Sequence, residues 1–81
     1  MNRQDLQSAA DREGIRRSAY SLDGGLPSEK YVLAVREGGW SIYYSERGFR
    51  RDEIQFDTED EACSLLLLWL VEDPTTRNHN V

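Results

Sequence analysis

Few residues in this chain have the type and spacing that catalysis needs. His79 is the only histidine and Cys63 the only cysteine. His79 lies in a polar terminal segment without a fixed neighbour to orient it as a base, so we interpret it as an exposed tail residue. Cys63 lies beside the apolar stripe of a predicted helix and is predicted to be a buried structural thiol. The sequence therefore predicts no enzyme, no metal site and no cofactor, and a single cysteine excludes an internal disulfide.

A cluster of acidic residues has a spacing that favours structure over metal chemistry. Thr58 and Glu61 match a capping box, and negative charge is favourable at the start of a helix. The spacing does not match a calcium loop. Capping explains the cluster, and the alternative is a surface for a basic partner. The candidate binding residues here are Asp57, Glu59, Asp60 and Glu61.

Two alternating apolar runs, about residues 29–37 and 40–45, predict a β-hairpin. A two-residue turn at Gly38-Gly39 would place Val35 opposite Ile42. One sheet face then belongs to the core. Its predicted residues are Tyr31, Leu33, Val35, Trp40, Ile42 and Tyr44.

A second turn follows this hairpin, and its length decides where the next strand points. A three-residue turn at Glu46-Arg47-Gly48 places Ile54 and Phe56 on the core face, whereas a two-residue turn would point both outward. We therefore predict the three-residue turn, which also pairs Tyr44 with Arg50 and Ile42 with Asp52.

The opposite sheet face is predicted to stay open and to be the better binding candidate. It would present Val32, Arg36, Tyr43, Phe49 and Arg51 together. Tyrosine and arginine often dominate protein interfaces, and aromatic sheet faces can also stack bases. A merely solvated face is the alternative. The candidate partner-binding residues on this face and its turn are Tyr43, Glu46, Arg47, Phe49 and Arg51.

Helical patterns flank the strands. Residues 3–13 predict a short helix that stops at Gly14, and residues 59–72 predict a longer one followed by Pro74. The sequence leaves open whether residues 18–22 add a short edge strand, and residues 75–81 are predicted to be a flexible tail. The predicted fold is α+β, in α-β-β-β-α order. An antiparallel sheet of three to four strands carries the N- and C-terminal helices on one face.

Composition limits the classes of protein that this chain can be. Its 81 residues, 1–81, fit one small domain. Because the core of such a domain is thin, a homodimer or a partner protein could add to its stability. The net charge of −5 argues against a general nucleic-acid binder and favours a basic protein partner. The longest apolar run is too short to span a bilayer, and the polar N-terminus lacks a signal-peptide core. The expected compartment is the cytoplasm.

About three quarters of the chain resembles small bacterial immunity proteins, which accompany polymorphic or contact-dependent toxins. The segments that carry the resemblance are YSLDGG (20–25), YVL (31–33), GWSIYYSERG (39–48), FDTEDEAC (56–63) and DPTTR (73–77). The resemblance implies a cytoplasmic inhibitor that binds a cognate toxin domain and occludes its active site. The alternative is a small nucleic-acid-associated or regulatory module that uses the aromatic–arginine sheet face.

Overall fold

The computed structural model describes residues 1–77 and contains two helices and a four-stranded sheet. The predicted tail residue His79 lies outside the described part of the chain. The α+β fold and the helix–strands–helix order are confirmed. The elements are α1 (Arg3–Arg12), β1 (Tyr20–Ser21), β2 (Lys30–Arg36), β3 (Gly39–Glu46), β4 (Phe49–Phe56) and α2 (Glu59–Glu72), with short 3₁₀ turns at Arg17–Ala19 and Pro74–Thr76.

The sheet is mixed, with the strand order β1-β2-β3-β4. The three long strands are antiparallel, as the sequence predicts, whereas the two-residue β1 pairs parallel with β2. A short edge strand near residues 18–22 was left open by the sequence, and β1 supplies it. At the other side of the sheet, β4 is the second edge strand.

The first hairpin turns one residue earlier than predicted. Arg36 pairs with Gly39, so the turn is Glu37-Gly38, and Leu33 rather than Val35 lies opposite Ile42. The two strands keep the predicted faces, because moving both turn residues by one shifts each cross-strand pair by two positions. Val35 was predicted to be a core residue, but it is 64% exposed near the end of β2. No larger residue fits at Gly39 without a shift of the backbone, because an added Cβ would lie 2.3 Å from the Phe56 carbonyl oxygen.

The second hairpin has a two-residue turn, Arg47-Gly48, so the predicted three-residue turn is wrong. Both turn residues have positive φ, 51° and 80°. Arg50 pairs with Ser45, and Asp52 does not pair with Ile42. Ile54 nevertheless pairs with Ile42 on the core face, because a β-bulge interrupts the ladder between the pairings of Ile42 and Tyr44.

The main core lies between the sheet and both helices. Helix α1 contributes Leu6 and Ala10, and α2 contributes Leu66 and Leu70. Their apolar partners on the sheet are Leu33 and Ile42, both fully buried. Helix α1 ends at Arg12, one residue before the predicted end, and Gly14 follows the cap residue Glu13 with a φ of 75°. The N–H of Gly14 donates to Asp11 and that of Ile15 donates to Ala10, which is a Schellman arrangement.

The opposite face of the sheet is not open, which corrects the prediction. Val32 and Tyr43 are fully buried there and form a second small cluster with Ala34. The loop at residues 22–27 covers this cluster. The Tyr43 hydroxyl donates to the Gly25 carbonyl, and an added Cβ on Gly24 would lie 3.5 Å from the Cβ of Ala34.

The segment after α2 is packed, although the sequence predicts a flexible tail from residue 75. Thr76 is buried, and its carbonyl accepts a hydrogen bond from the Arg16 N–H. The Thr76 hydroxyl also lies 2.6 Å from the Leu70 carbonyl, whose usual helical donor four residues later would be Pro74, which has no N–H. This arrangement fixes the position of Asp73 at the end of α2.

Candidate functional site: an acidic groove with an aromatic floor

A groove of about 680 Å³ lies between the end of α2 and the β3–β4 turn. We call it the acidic groove. It opens on the sheet face that carries the helices, beyond the part that the helices cover. Its lining residues are Tyr31, Tyr44, Glu46, Arg51, Asp52, Trp69, Glu72 and Asp73.

Three aromatic side chains form the floor of the acidic groove. The rings of Tyr31 and Tyr44 meet edge to face, with centroids 4.9 Å apart and planes inclined by 65°. The rings of Tyr31 and Trp69 lie 6.1 Å apart and are inclined by 54°. All three side chains are only partly buried, so they leave aromatic surface available to another molecule.

The polar residues of the groove are mainly carboxylates. Asp73 accepts a hydrogen bond of 2.8 Å from the Tyr31 hydroxyl, which ties the end of α2 to β2. Glu46 lies 3.3 Å from the guanidinium of Arg51, the one cation of the groove. Within residues 1–77, Asp52 and Glu72 form no ion pair. Two exposed carboxylates are therefore available to a positively charged partner.

The β-bulge in β4 places Asp52 in this groove. Arg51 pairs with Tyr44 on the helix-bearing face, and Ile54 pairs with Ile42 on that same face. One residue between them is additional, and Asp52 is the residue with positive φ, 57°. Glu53 then occupies the opposite face, where its carboxylate accepts a hydrogen bond from Ser41. In a regular strand Asp52 would face away from Arg51 and Glu53 would share its face, and the additional residue of the bulge reverses this assignment.

Burial and the surrounding negative charge both raise the pKa values of the two tyrosines in the floor. Burial, followed by the hydrogen bond to Asp73, raises the pKa of Tyr31. Burial also raises the pKa of Tyr44, and the charges of Glu29, Glu46 and Asp73 add to this effect. The hydrogen bond from the Thr75 hydroxyl is the main cause that lowers the pKa of Asp73. At neutral pH the phenols of Tyr31 and Tyr44 are therefore neutral and the carboxylate of Asp73 is ionised.

The residues predicted to share an open sheet face are divided between the two faces. Phe49 pairs with Glu46 and Arg51 pairs with Tyr44, which places both on the helix-bearing face. Phe49 is 72% exposed at the hairpin turn. Tyr43 is buried on the opposite face, with the Arg50 guanidinium 5.1 Å from its ring centre. No single aromatic–arginine face of the predicted composition exists among the described residues.

Of the candidate residues near the second turn, the acidic groove includes Glu46 and Arg51. Arg47 is exposed in the turn itself. The structure therefore brings two of the five candidates into one concave site. Arg47 and Phe49 are exposed at the β3–β4 turn, and Tyr43 is buried.

The acidic start of α2 is partly occupied by contacts within the chain. The Thr58 hydroxyl oxygen accepts from the Glu61 N–H, so this part of the predicted cap is confirmed. Glu59 accepts a hydrogen bond of 2.9 Å from the Arg3 N–H, and Asp60 binds the amino group of Met1. Asp57 is exposed beside them. These carboxylates hold the start of α1 against α2, which leaves less of their charge for a partner.

Six lining residues of the acidic groove were not predicted as site residues, namely Tyr31, Tyr44, Asp52, Trp69, Glu72 and Asp73. Tyr31 and Trp69 were assigned to packing because they fit apolar stripes. A signal was present on α2, where Leu65, Leu68, Trp69 and Glu72 recur at helical spacing and Leu68 is 50% exposed. A stripe wider than one packed face indicates a helix whose second side remains accessible.

The thiol of Cys63 is buried in the main core. Burial raises the pKa of the Cys63 thiol to about 11, so the thiolate that reacts as a nucleophile is scarce at neutral pH. No group of three or more potential metal-ligating side chains occurs in residues 1–77. Within the same range, no helix is long and apolar enough to cross a membrane.

Comparison of the chain with protein-family models, with curated proteins and with solved structures finds no significant match.

Proposed function

We propose that this protein is an immunity protein that binds a cognate bacterial toxin domain and occludes the toxin's active site. The observation that carries the proposal is the acidic groove, a concave site with three aromatic side chains and four carboxylates. The resemblance of residues 20–77 to immunity proteins supplies the class of partner. On this proposal the protein acts in the cytoplasm of the cell that makes it.

The groove has the composition of a protein-binding surface. Tryptophan and tyrosine contribute strongly to interfaces because they bury much area with few rotatable bonds. Trp69 and Tyr44 would provide that contact. Asp52 and Glu72 would pair with basic residues at its margin, since neither has an ion-pair partner within residues 1–77.

Net charge would accelerate recognition. The chain carries a net charge of −5. A toxin domain that acts on nucleic acid would be basic, because lysine and arginine neutralise the phosphate backbone. Opposite charges steer two proteins together and raise the association rate at low ionic strength. The inhibition would be steric and electrostatic, with no chemical step.

The packed framework would limit the cost of binding. The Tyr31–Asp73 hydrogen bond and the two aromatic contacts already hold the groove residues in place. Less conformational freedom is then lost when a partner binds.

The test is co-expression with the toxin domain encoded beside this gene, followed by binding kinetics with the purified domain. We expect the wild-type protein to restore growth. The double variant Asp52→Lys with Glu72→Lys should abolish protection and slow association at least tenfold, because attraction becomes repulsion. Thermal unfolding must first show that the variant is folded.

A matched control changes the net charge equally at the start of α2. The variant Asp60→Lys with Glu61→Lys should retain protection if the groove is the binding surface. Loss of protection in this variant alone would instead assign binding to the helix start. Failure of the wild-type protein to bind or neutralise the adjacent toxin domain would refute the proposed function.

A further inference from the structure

We propose that the acidic groove is a recognition site for a guanidinium group, and that its occupant is an arginine side chain of the partner protein. This inference rests on the proposed function only for the identity of the partner.

The aromatic floor provides surfaces suited to a cation. Tyr31 lies between Tyr44 and Trp69, and each neighbouring ring is inclined to it by more than half a right angle. A cation held over such rings is attracted to their negative faces, and tryptophan gives the strongest interaction. Because the three side chains are only partly buried, their rings remain accessible from the groove.

The carboxylates provide the complementary charge. Asp52 comes from the bulge in β4, whereas Glu72 and Asp73 come from the end of α2. Asp73 is held by the Tyr31 and Thr75 hydroxyls, at 2.8 Å and 2.7 Å, so it is a fixed negative charge at the floor. Asp52 and Glu72 are exposed, so an entering group can reach their carboxylates.

The combination favours arginine over lysine. A guanidinium is planar, stacks on aromatic faces and forms two parallel hydrogen bonds with a carboxylate. It is also more weakly hydrated than an ammonium, so it loses less on entering a partly buried site. The aromatic rings of the groove can stack on a guanidinium, and its carboxylates can accept the paired hydrogen bonds.

The positive charge of Arg51 should oppose the binding of a cation in the acidic groove. It is the groove's own cation and its side chain is 62% exposed, at 3.3 Å from Glu46. An entering guanidinium would be repelled by Arg51 and attracted by Glu46 once that carboxylate is released. Removing the Arg51 charge should therefore strengthen binding of a cation.

The test uses N-acetyl-arginine amide as the probe and the indole N–H resonance of Trp69 as the signal in NMR spectra. The two tryptophans are distinguished with the variant Trp40→Phe. We expect saturable movement of the Trp69 resonance at millimolar probe, with the Trp40 resonance unchanged. N-acetyl-citrulline amide has nearly the same shape without the charge and should cause at most one fifth of the shift.

Variants define the site. Asp52→Asn with Glu72→Gln should weaken probe binding at least threefold, whereas Glu13→Gln with Glu37→Gln, which removes the same charge outside the groove, should not. Arg51→Gln should tighten binding about twofold. Equal shifts with citrulline, or equal weakening by both double variants, would overturn the proposal.

The two proposals fail separately. Probe binding without toxin neutralisation would leave the guanidinium site standing and refute the immunity function. Neutralisation of the toxin without any probe response at Trp69 would refute the guanidinium site alone.

Discussion

At the scale of single residues, two adjacent glycines have different reasons to be glycine. Gly38 has a φ of 82° and open space around the position of a Cβ. Gly39 does not have positive φ, but an added Cβ would lie 2.3 Å from the carbonyl oxygen of Phe56. The pair Gly38-Gly39 suggests a symmetric turn, and only the neighbouring strand distinguishes the conformational role from the steric one.

These roles predict different costs for the same substitution. Gly39→Ala should lower the free energy of unfolding by about 3 kcal/mol, because the backbone of β4 must move to accept the methyl group. Gly38→Ala should cost about 1 kcal/mol, which is the strain of a left-handed conformation. Urea unfolding followed by tryptophan fluorescence measures both. Equal costs for the two variants would contradict the close contact with Phe56.

At the scale of elements, the second hairpin contains the additional residue that the apolar pattern requires, but at a different position from the predicted one. Ile54 and Phe56 must face the core, which requires one additional residue somewhere between Tyr44 and Ile54. Sequence reasoning placed it in the turn, whereas the structure places it in the β-bulge at Asp52. Both solutions satisfy the apolar pattern, because that pattern fixes only which face each residue occupies.

The two-residue turn leads to a prediction for Arg47. Its φ of 51° is unfavourable for an arginine, and asparagine before glycine is strongly preferred in turns with two positive φ values. Arg47→Asn should raise the free energy of unfolding by about 0.5 to 1 kcal/mol. Arg47→Lys is the matched control and should have no effect. A destabilised Arg47→Asn variant in urea unfolding would argue against this turn.

At the scale of the whole molecule, charge links stability to the site. Hydrogen bonds from the Thr75 and Tyr31 hydroxyls help lower the pKa of Asp73 below its ordinary 3.8. The Ser41 hydroxyl is the main cause that lowers the pKa of Glu53 below 4.5. A carboxylate with a lowered pKa in the folded state binds protons more weakly than in the unfolded chain, so its stabilisation is present at neutral pH and is lost as the pH falls.

The corresponding prediction concerns acid unfolding. The free energy of unfolding should fall as the pH drops below about 4.5, where these groups begin to bind protons in the unfolded chain. Asp73→Asn should be less stable than the wild type at pH 7 and should lose less stability between pH 5 and pH 3. Urea unfolding across this range measures the slope, and Glu53→Gln gives an independent comparison. An unchanged slope in Asp73→Asn would contradict the role of this carboxylate.

The sequence by itself determined the elements and the core face. Capping residues, turn glycines and the apolar periods of α2 and the strands are local signals, and the bounds of α2 at Glu59–Glu72 were predicted without error. The face assignment of Leu33, Ile42 and Phe56 also followed, because side chains alternate along a strand whatever the exact register.

Only the tertiary structure decided which surface is accessible. Burial of Tyr43 depends on the loop at residues 22–27, whose composition indicates a loop but not the face it covers. The acidic groove depends on Asp52, Trp69 and Asp73, which come together through a bulge, a helix and the hydrogen bond to Tyr31. Such contacts join residues far apart in the chain, and no local period encodes them.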